Sequence, residues 1–102
     1  MPRIRLLSLV VFLAAAWHLG TARAGAYEDI LAGAEHNQID VVVSLIDLGL
    51  DPNTATPDGT TLLMTAARNG NLEMVDTLLA KRANHLIRNK FGDTALMLAA
   101  LG

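Results

Sequence analysis

Only a few side chains in this sequence could carry chemistry. Two histidines follow residue 24, His36 and His85, which are far apart in the chain and fall on or near predicted loops and helix ends. A metal site needs several ligands at one point, and two exposed histidines at this separation do not indicate one. Glu28-Asp29 and Glu35 would be the carboxylates of an acid/base pair. At helix starts and turns, however, capping and hydration explain such side chains better. We therefore predict no catalytic residue, no metal and no cofactor.

The composition excludes several further classes of protein. The chain has 102 residues, no cysteine and a formal net charge of −2. Without cysteine there is no disulfide framework, no Cys-ligated zinc or iron–sulfur site and no cysteine nucleophile. The motifs of elbow hydrolases, zincins and P-loop proteins do not occur in the sequence. A nucleic-acid partner is not expected, because the chain has no basic stripe and only Tyr27 and Phe91 are aromatic after residue 24.

The N-terminal segment, residues 1–24, has the pattern of a secretory signal peptide. Arg3 and Arg5 precede an apolar run over residues 6–17, and the small-residue stretch Ala22-Arg23-Ala24 follows. Such a run spans about 18 Å as a helix, less than the ~30 Å hydrocarbon core of a bilayer. We expect cleavage after Ala24, which would place the protein in the periplasm or outside the cell without membrane contact. An uncleaved membrane tether is the alternative.

The rest of the chain has a 33-residue period, the interval from Ala34 to Ala67. Each unit has a glycine-led turn, a short helix opened by a threonine N-cap, a chain reversal and a second helix with apolar residues at helical spacing. No unit can bury its apolar face alone, so the units must stack. The equivalent pairs include Ala34 and Ala67, Val42 and Val75, Ile46 and Leu79, Gly59 and Gly92, Thr61 and Thr94, Leu63 and Leu96, and Met64 and Met97.

These units resemble the ankyrin repeat. Residues 59–67 (Gly-Thr-Thr-Leu-Leu-Met-Thr-Ala-Ala) and 92–100 (Gly-Asp-Thr-Ala-Leu-Met-Leu-Ala-Ala) are similar to the family's G-x-T-P-L-H-x-A-A signature. Together with the signal pattern, the resemblance is to secreted or periplasmic bacterial members. It implies an all-α ankyrin-repeat solenoid of about two and a half repeats, in which helix–turn–helix units carry β-turn or hairpin fingers. The region of residues 25–102 would divide into units at about 27–55, 56–88 and 89–102, the last incomplete.

Three positions depart from the family pattern. Leu62 or Ala95 stands where proline is usual. The first residue of the helix then lacks the preorganised backbone of proline, but the helix is still expected to form. Met64 and Met97 replace the usual histidine, so we expect apolar packing where the family has a hydrogen bond from side chain to backbone. Arg82 stands where glycine is expected after the second helix. A left-handed backbone at that position would cost roughly 1 kcal/mol.

The alanine pairs and the leucines of the helices, Leu72 and Leu79 among them, are expected to form the core between units. The last helix is the exception, because residues 96–101 are apolar and a solenoid end normally has a polar outer face. Three explanations remain open. The sequence is a fragment or a prematurely terminated reading frame; another chain covers the helix, through self-association or further repeats; or the helix frays.

The resemblance implies that a protein partner, of unknown identity, binds to the finger turns and to outward positions of the first helices. Phe91 is the most suggestive residue, because an exposed aromatic at a turn commonly anchors an interface. The alternative is that it packs against Leu86 or Ile87. Arg88 and Lys90 beside it would attract an acidic partner. The candidate binding residues are Glu35, His36, Pro57, Asp58, Thr60, Arg68, Asn69, Lys90, Phe91 and Asp93.

The sequence therefore predicts an exported interaction module or scaffold that is not an enzyme. It would bind its partner through the finger turns and the concave face of the helices. The alternative is that the repeats are the regulatory front end of a longer protein whose enzymatic part is missing from this sequence.

Overall fold

A computed structural model describes residues 25–101 of the chain, and the predicted signal peptide lies outside the described residues. The described part contains helices and turns and no strand. None of its helices has the length and apolar character needed to cross a membrane. The helices are α1 (residues 25–35), α2 (Ile39–Asp47), α3 (Leu62–Arg68), α4 (Leu72–Ala80) and α5 (Ala95–Leu101). The prediction of an all-α architecture is confirmed.

The helices form pairs that stack along the chain. In the first pair, Gly33 of α1 is buried, and a Cβ atom placed on it would lie 3.1 Å from Cγ2 of Val42 in α2. The second pair is α3 and α4, and α3 also packs against α5, the first helix of a third unit. Long loops between the pairs carry the fingers. Residues 25–101 thus form two helical hairpins followed by a single helix.

The predicted threonine caps begin α3 and α5. The Thr61 hydroxyl accepts a hydrogen bond from the Met64 N–H at 3.2 Å, and the Thr94 hydroxyl accepts one from the Met97 N–H at 3.4 Å. In return, the Thr61 N–H donates to the Met64 sulfur at 3.4 Å. Sulfur is a weak acceptor, but the expectation that Met64 makes only apolar contacts was wrong. It packs in the core and closes a capping box.

Each of α1 to α4 is followed by a residue with left-handed backbone. These residues are Asn37 (φ 59°), Gly49 (φ 115°), Gly70 (φ 70°) and Arg82 (φ 69°). Glycine adopts this conformation without steric cost and asparagine tolerates it, whereas arginine does not. The conditional prediction for Arg82 is therefore met, and its position carries backbone strain that the equivalent Gly49 avoids.

The bonds around Arg82 show why the strain is retained. Its N–H donates to the Leu79 carbonyl at 3.0 Å, and the Ala83 N–H donates to the Leu78 carbonyl at 3.0 Å. This is the pattern of a Schellman motif, which satisfies the last carbonyl groups of a helix. The same two bonds follow α2, from Gly49 and from the residue after it. The left-handed residue thus ends the helix and turns the chain toward the next finger.

The core lies between the stacked units. Its largest fully buried side chains belong to α1, α2, α3 and α4; they are Ile30, Val42, Leu62, Leu63, Met64, Met74 and Leu78. Burial of this set is expected to supply most of the stabilising free energy, because buried aliphatic side chains contribute roughly 1.5–3 kcal/mol each.

At the C-terminal end of the stack, the prediction that the leucines of the helices form the core is wrong. Leu72 is 75% exposed and Leu79 is 42% exposed, although both are at helical spacing within α4. Ala99 is also exposed, and Leu96 is 80% exposed. These side chains face the side of α4 and α5 that no further helix covers within residues 25–101.

Polar contacts fix α4 against the preceding unit. The Lys81 ammonium lies 2.7 Å from a carboxylate oxygen of Asp47. The Asn71 amide donates to the Asn37 side-chain oxygen at 3.2 Å. Both pairs are exposed, so each contributes at most about 1 kcal/mol. Their main effect is to set the position of α4 along α2.

Candidate protein-binding surface

The first finger is a tight turn between α2 and α3. Ala55 and Thr61 form an isolated antiparallel bridge at its base. The Thr56 N–H donates to the Thr60 carbonyl at 3.0 Å, and the Gly59 N–H donates to the Thr56 carbonyl at 2.8 Å. Gly59 has a φ of +82°, which an L side chain rarely adopts. The turn therefore places Pro57 and Asp58 at its tip.

The Asp58 carboxylate is held by two threonines. It accepts a hydrogen bond from the Thr56 hydroxyl and one from the Thr60 N–H, the latter at 3.2 Å. These bonds lower the pKa of Asp58 below its ordinary value, the Thr56 hydroxyl being the largest cause and Thr60 the next. Hydrogen bonds to a carboxylate favour its charged form. The tip of the first finger thus carries a fixed negative charge.

Thr60 itself does not belong to the exposed surface. Only 9% of the residue is exposed, because it lies on the inner side of the turn and hydrogen-bonds Asp58. Its burial argues against the prediction that Thr60 contacts a partner. It positions the carboxylate of Asp58 and is not presented to a partner.

The second finger repeats this turn with different side chains. The Asn89 N–H donates to the Asp93 carbonyl at 3.0 Å, and the Gly92 N–H donates to the Asn89 carbonyl at 2.9 Å. The Asn89 side-chain oxygen accepts the N–H groups of Phe91 and Asp93, at 3.0 and 2.9 Å. Arg88 adds a guanidinium bond of 2.8 Å to the Gly92 carbonyl. The backbone on either side of Phe91 is therefore fixed.

Phe91 is at the tip of this second finger. Its side chain is 70% exposed. The alternative is that Phe91 packs against Leu86 or Ile87. Leu86 is itself 71% exposed, and Ile87 is partly buried against the core. A ring packed against that leucine would cover both, so the exposure favours the other alternative, an aromatic side chain directed to solvent.

The two fingers are in direct contact. The Lys90 N–H donates to the Asp58 carbonyl at 2.7 Å. A Cβ atom on Gly59 would lie 3.2 Å from the Asn89 Cα, so only glycine allows this approach without displacement. The tips thus form one continuous strip that places Asp58 next to Lys90 and Phe91.

A second group of candidate residues lies at the ends of the first helices. The Asn69 amide donates to the Glu35 carbonyl at 3.1 Å, which ties the end of α3 to the end of α1. Glu35 and His36 line a concave region of about 290 Å³ together with Thr56 of the first finger. Arg68, next to Asn69, is exposed. This group and the strip of finger tips are therefore parts of one side of the molecule, joined at Thr56.

The charged side chains of the second finger have no ionic partner within residues 25–101. The one ion pair in that part of the chain joins Lys81 to Asp47, away from the fingers. Arg88 and Lys90 are both exposed. Their charges therefore remain available to a partner that contacts Phe91.

Three residues that hold this surface together were not singled out from the sequence. Thr56 and Asn89 orient the finger tips, and the Tyr27 hydroxyl donates to the Ala55 carbonyl at 2.6 Å. The 33-residue period places Thr56 on Asn89 and could have indicated their common role. The bond of Tyr27 joins two different units, and no local pattern indicates it.

No group of three or more His, Asp or Glu residues that could hold a metal ion occurs within the described range. His36 lies at the concave region and His85 in a separate groove beside α4 and α5. The structure therefore does not bring together the two histidines that follow residue 24.

Stacked helical pairs with paired finger turns define a repeat protein whose exposed side is a continuous surface suited to binding. The sequence comparison agrees with this class. Residues 30–102 match the family described as "Ankyrin repeats (3 copies)". The chain belongs to the ankyrin-repeat family, whose repeats serve as protein–protein interaction modules.

Proposed function

We propose that this protein is an exported, non-catalytic interaction module that binds a partner protein through its finger tips and the concave side of its first helices. The observation that carries this proposal is Phe91, a 70% exposed aromatic side chain on a turn whose backbone is fixed by Asn89. Large aromatic side chains at such positions are the usual anchors of protein interfaces.

The second finger is suited to binding because little of it has to be ordered. The Asn89 side chain already binds the N–H groups on both sides of the tip, and Arg88 binds the Gly92 carbonyl. Ordering a loop or a side chain on association costs affinity. A turn that is fixed beforehand avoids the backbone part of that cost.

The charges around Phe91 indicate the chemistry of the partner. Arg88 and Lys90 precede Phe91 in the second finger and are exposed, whereas the Asp58 carboxylate is held at the tip of the neighbouring finger. We expect a partner segment that places an apolar group on Phe91 and a carboxylate near Lys90. Such contacts raise the association rate and specificity more than the affinity.

A photo-crosslinking amino acid at position 91 tests this function in the organism that encodes the protein. We expect one partner to be captured from position 91 and from position 36 on the concave side. The matched control is position 48, because Leu48 is 81% exposed but lies after α2, outside the fingers. Equal capture from positions 91 and 48, or capture from neither 91 nor 36, would contradict the proposal.

Export is supported by the order of charge, apolar run and small residues over residues 1–24. We expect the mature chain to begin at Gly25 and to be more acidic than the whole sequence, because Arg3, Arg5 and Arg23 leave with the signal segment. Mass spectrometry of the protein purified from the periplasm or culture medium checks the new N-terminus. Recovery of the chain with residues 1–24 attached to a membrane would support the tethered alternative instead.

A further inference from the structure

Asn69 and Gly70 form the only asparagine–glycine pair in the sequence. Both residues are exposed in the turn between α3 and α4. Asparagine is chemically labile, and most so before glycine, because glycine has no side chain to hinder attack of its backbone nitrogen on the asparagine amide. The other asparagines precede larger residues, namely Gln38, Thr54, Leu72, His85 and Lys90. Position 69 is therefore where deamidation is expected first.

Deamidation of this pair requires only water and the chain itself. The Gly70 backbone nitrogen loses its proton and attacks Cγ of Asn69. The new C–N bond closes a five-membered ring, the Cγ–Nδ2 bond breaks, and the side-chain nitrogen leaves as ammonia. Water then opens the ring at either of its carbonyl carbons, which leaves an aspartate or an isoaspartate at position 69. Nothing is oxidised or reduced in these steps.

The folded chain holds both reacting groups in hydrogen bonds. The Gly70 N–H donates to the Ala67 carbonyl at 3.1 Å, so this bond must break before the nitrogen can attack. The Asn69 amide donates to the Glu35 carbonyl at 3.1 Å and to the Asn37 side-chain oxygen at 3.4 Å. The bonds of the Asn69 amide are exposed to water, and exposed helix ends open locally at small cost. The rate of the reaction thus depends on how often the end of α3 opens.

Deamidation replaces a hydrogen-bond donor with acceptors. A carboxylate at position 69 cannot donate, and its oxygens would face the Glu35 carbonyl and the Asn37 side-chain oxygen, which now accept from the amide. It would also place a negative charge at the C-terminus of α3, where the helix dipole disfavours it. The polar tie between α1 and α3 is therefore lost on deamidation.

We propose that Asn69 is a site of spontaneous deamidation, which proceeds when the end of α3 opens and which unties α3 from α1. The modification changes the charge on the side of the molecule where Glu35, His36 and Arg68 are exposed. The inference goes beyond the proposed function, because the reaction takes place within one chain and needs no partner.

Peptide mapping of the purified chain after incubation in mildly alkaline buffer tests this proposal. A glutamate-specific protease cleaves after Glu35 and Glu73 and releases residues 36–73. We expect this fragment to gain about 1 Da, to separate into an aspartate and an isoaspartate form, and to carry the change at position 69 and not at Asn71. The same incubation in urea, where the chain is unfolded, should convert the site about tenfold to a hundredfold faster.

Three variants test the role of the amide tie in the rate. Asn69→Gln keeps an amide but would have to close a larger ring, so its fragment should not gain mass at position 69. Asn37→Gly removes one acceptor of the Asn69 amide at a left-handed position that suits glycine. It should speed conversion in native buffer by about twofold or more and leave the rate in urea unchanged. The matched control Asn89→Gly removes side-chain bonds of the second finger and should change neither rate.

The variant Asn69→Asp carries one of the two products in every molecule. It should unfold at a lower urea concentration than the unaltered protein at neutral pH, because the bonds donated by the amide are lost. The matched control is Asn84→Asp, which adds the same charge at an exposed asparagine. The Asn84 side-chain oxygen accepts the Leu86 N–H at 2.9 Å, and a carboxylate can also accept this bond. We therefore expect a smaller shift of the midpoint for Asn84→Asp.

The proposal is overturned if the native chain shows no conversion at position 69 after about a hundred half-times of the reaction in urea. Conversion of another asparagine first, or equal rates in native buffer and in urea, would also overturn it. An unchanged native rate in Asn37→Gly, or an unchanged urea midpoint in Asn69→Asp, would show that the amide tie has no role. None of these measurements involves Phe91 or a partner protein, so this proposal and the proposed function can fail separately.

Discussion

Replacing Arg82 with glycine should stabilise the protein. Arg82 has a φ of 69°, in the left-handed region, where a side chain costs roughly 1–2 kcal/mol. Glycine removes that cost but loses about 0.5–1 kcal/mol through its larger conformational freedom in the unfolded chain. The net gain in the free energy of unfolding is therefore about 0.5–1 kcal/mol. In a domain of this size it corresponds to an increase in Tm of roughly 2–8 °C.

Urea unfolding followed by circular dichroism measures this change directly. The slope of the free energy against urea concentration should be the same for both proteins, so a shift of the midpoint reports stability alone. The Schellman bonds from residues 82 and 83 to the end of α4 involve only the backbone and remain possible in the variant. A glycine variant with an unchanged or lower midpoint would refute the reasoning.

Two matched variants separate backbone strain from charge. Arg82→Ala removes the charge and the long side chain but keeps the strained φ, so we expect no gain. Gly49→Ala places a Cβ at the equivalent position, where φ is 115° and no atom lies within 4 Å of that Cβ. It should destabilise the protein by about 1 kcal/mol or more. If Arg82→Ala stabilises as much as Arg82→Gly, relief of charge and not of strain is the cause.

Further substitutions test the core, the caps and the first finger. Met74→Ala should cost about 2–5 kcal/mol in urea unfolding because the side chain is fully buried, whereas Met97→Ala, at a 43% exposed position, should cost far less. Thr61→Ala should cost about 1 kcal/mol by the same assay, and Thr94→Ala less, because its cap bond is longer at 3.4 Å. The pKa of Asp58 is lower in the folded protein. The carboxylate therefore adds to the free energy of unfolding above its unfolded pKa of about 3.9, and this addition is lost as the pH falls through the folded pKa. Asp58→Asn should therefore reduce the difference between urea midpoints at pH 7 and pH 3; an unchanged difference would contradict this.

Much of the fold follows from the 33-residue period. The period places Thr61 and Thr94 at equivalent helix starts, and each accepts the predicted bond from the third helical residue. It also aligns Arg82 with Gly49, which locates the strained position before any coordinates are known. These features are local, because the bonds involved join residues that are close neighbours in the sequence. Local patterns determine them almost completely.

Features that depend on neighbouring units could not be predicted in the same way. Leu72 and Ile39 occupy equivalent positions in successive repeats, but Ile39 is partly buried against the core and Leu72 is 75% exposed, because only the next unit determines whether such a face is covered. The contact of Lys90 with Asp58 joins two fingers that belong to successive repeats. Thr60 belongs to a finger turn, where the family resemblance predicts binding residues, yet only 9% of it is exposed.

The central claim is that the second finger binds a partner protein through Phe91. The dissociation constant of the partner captured from position 91 should be measured for the unaltered protein, for Phe91→Ala and for Leu48→Ala by titration calorimetry. Truncating an aromatic anchor typically costs about 2 kcal/mol or more, so Phe91→Ala should weaken binding by about thirtyfold, and Leu48→Ala should not change it. Equal dissociation constants for all three proteins would contradict the claim.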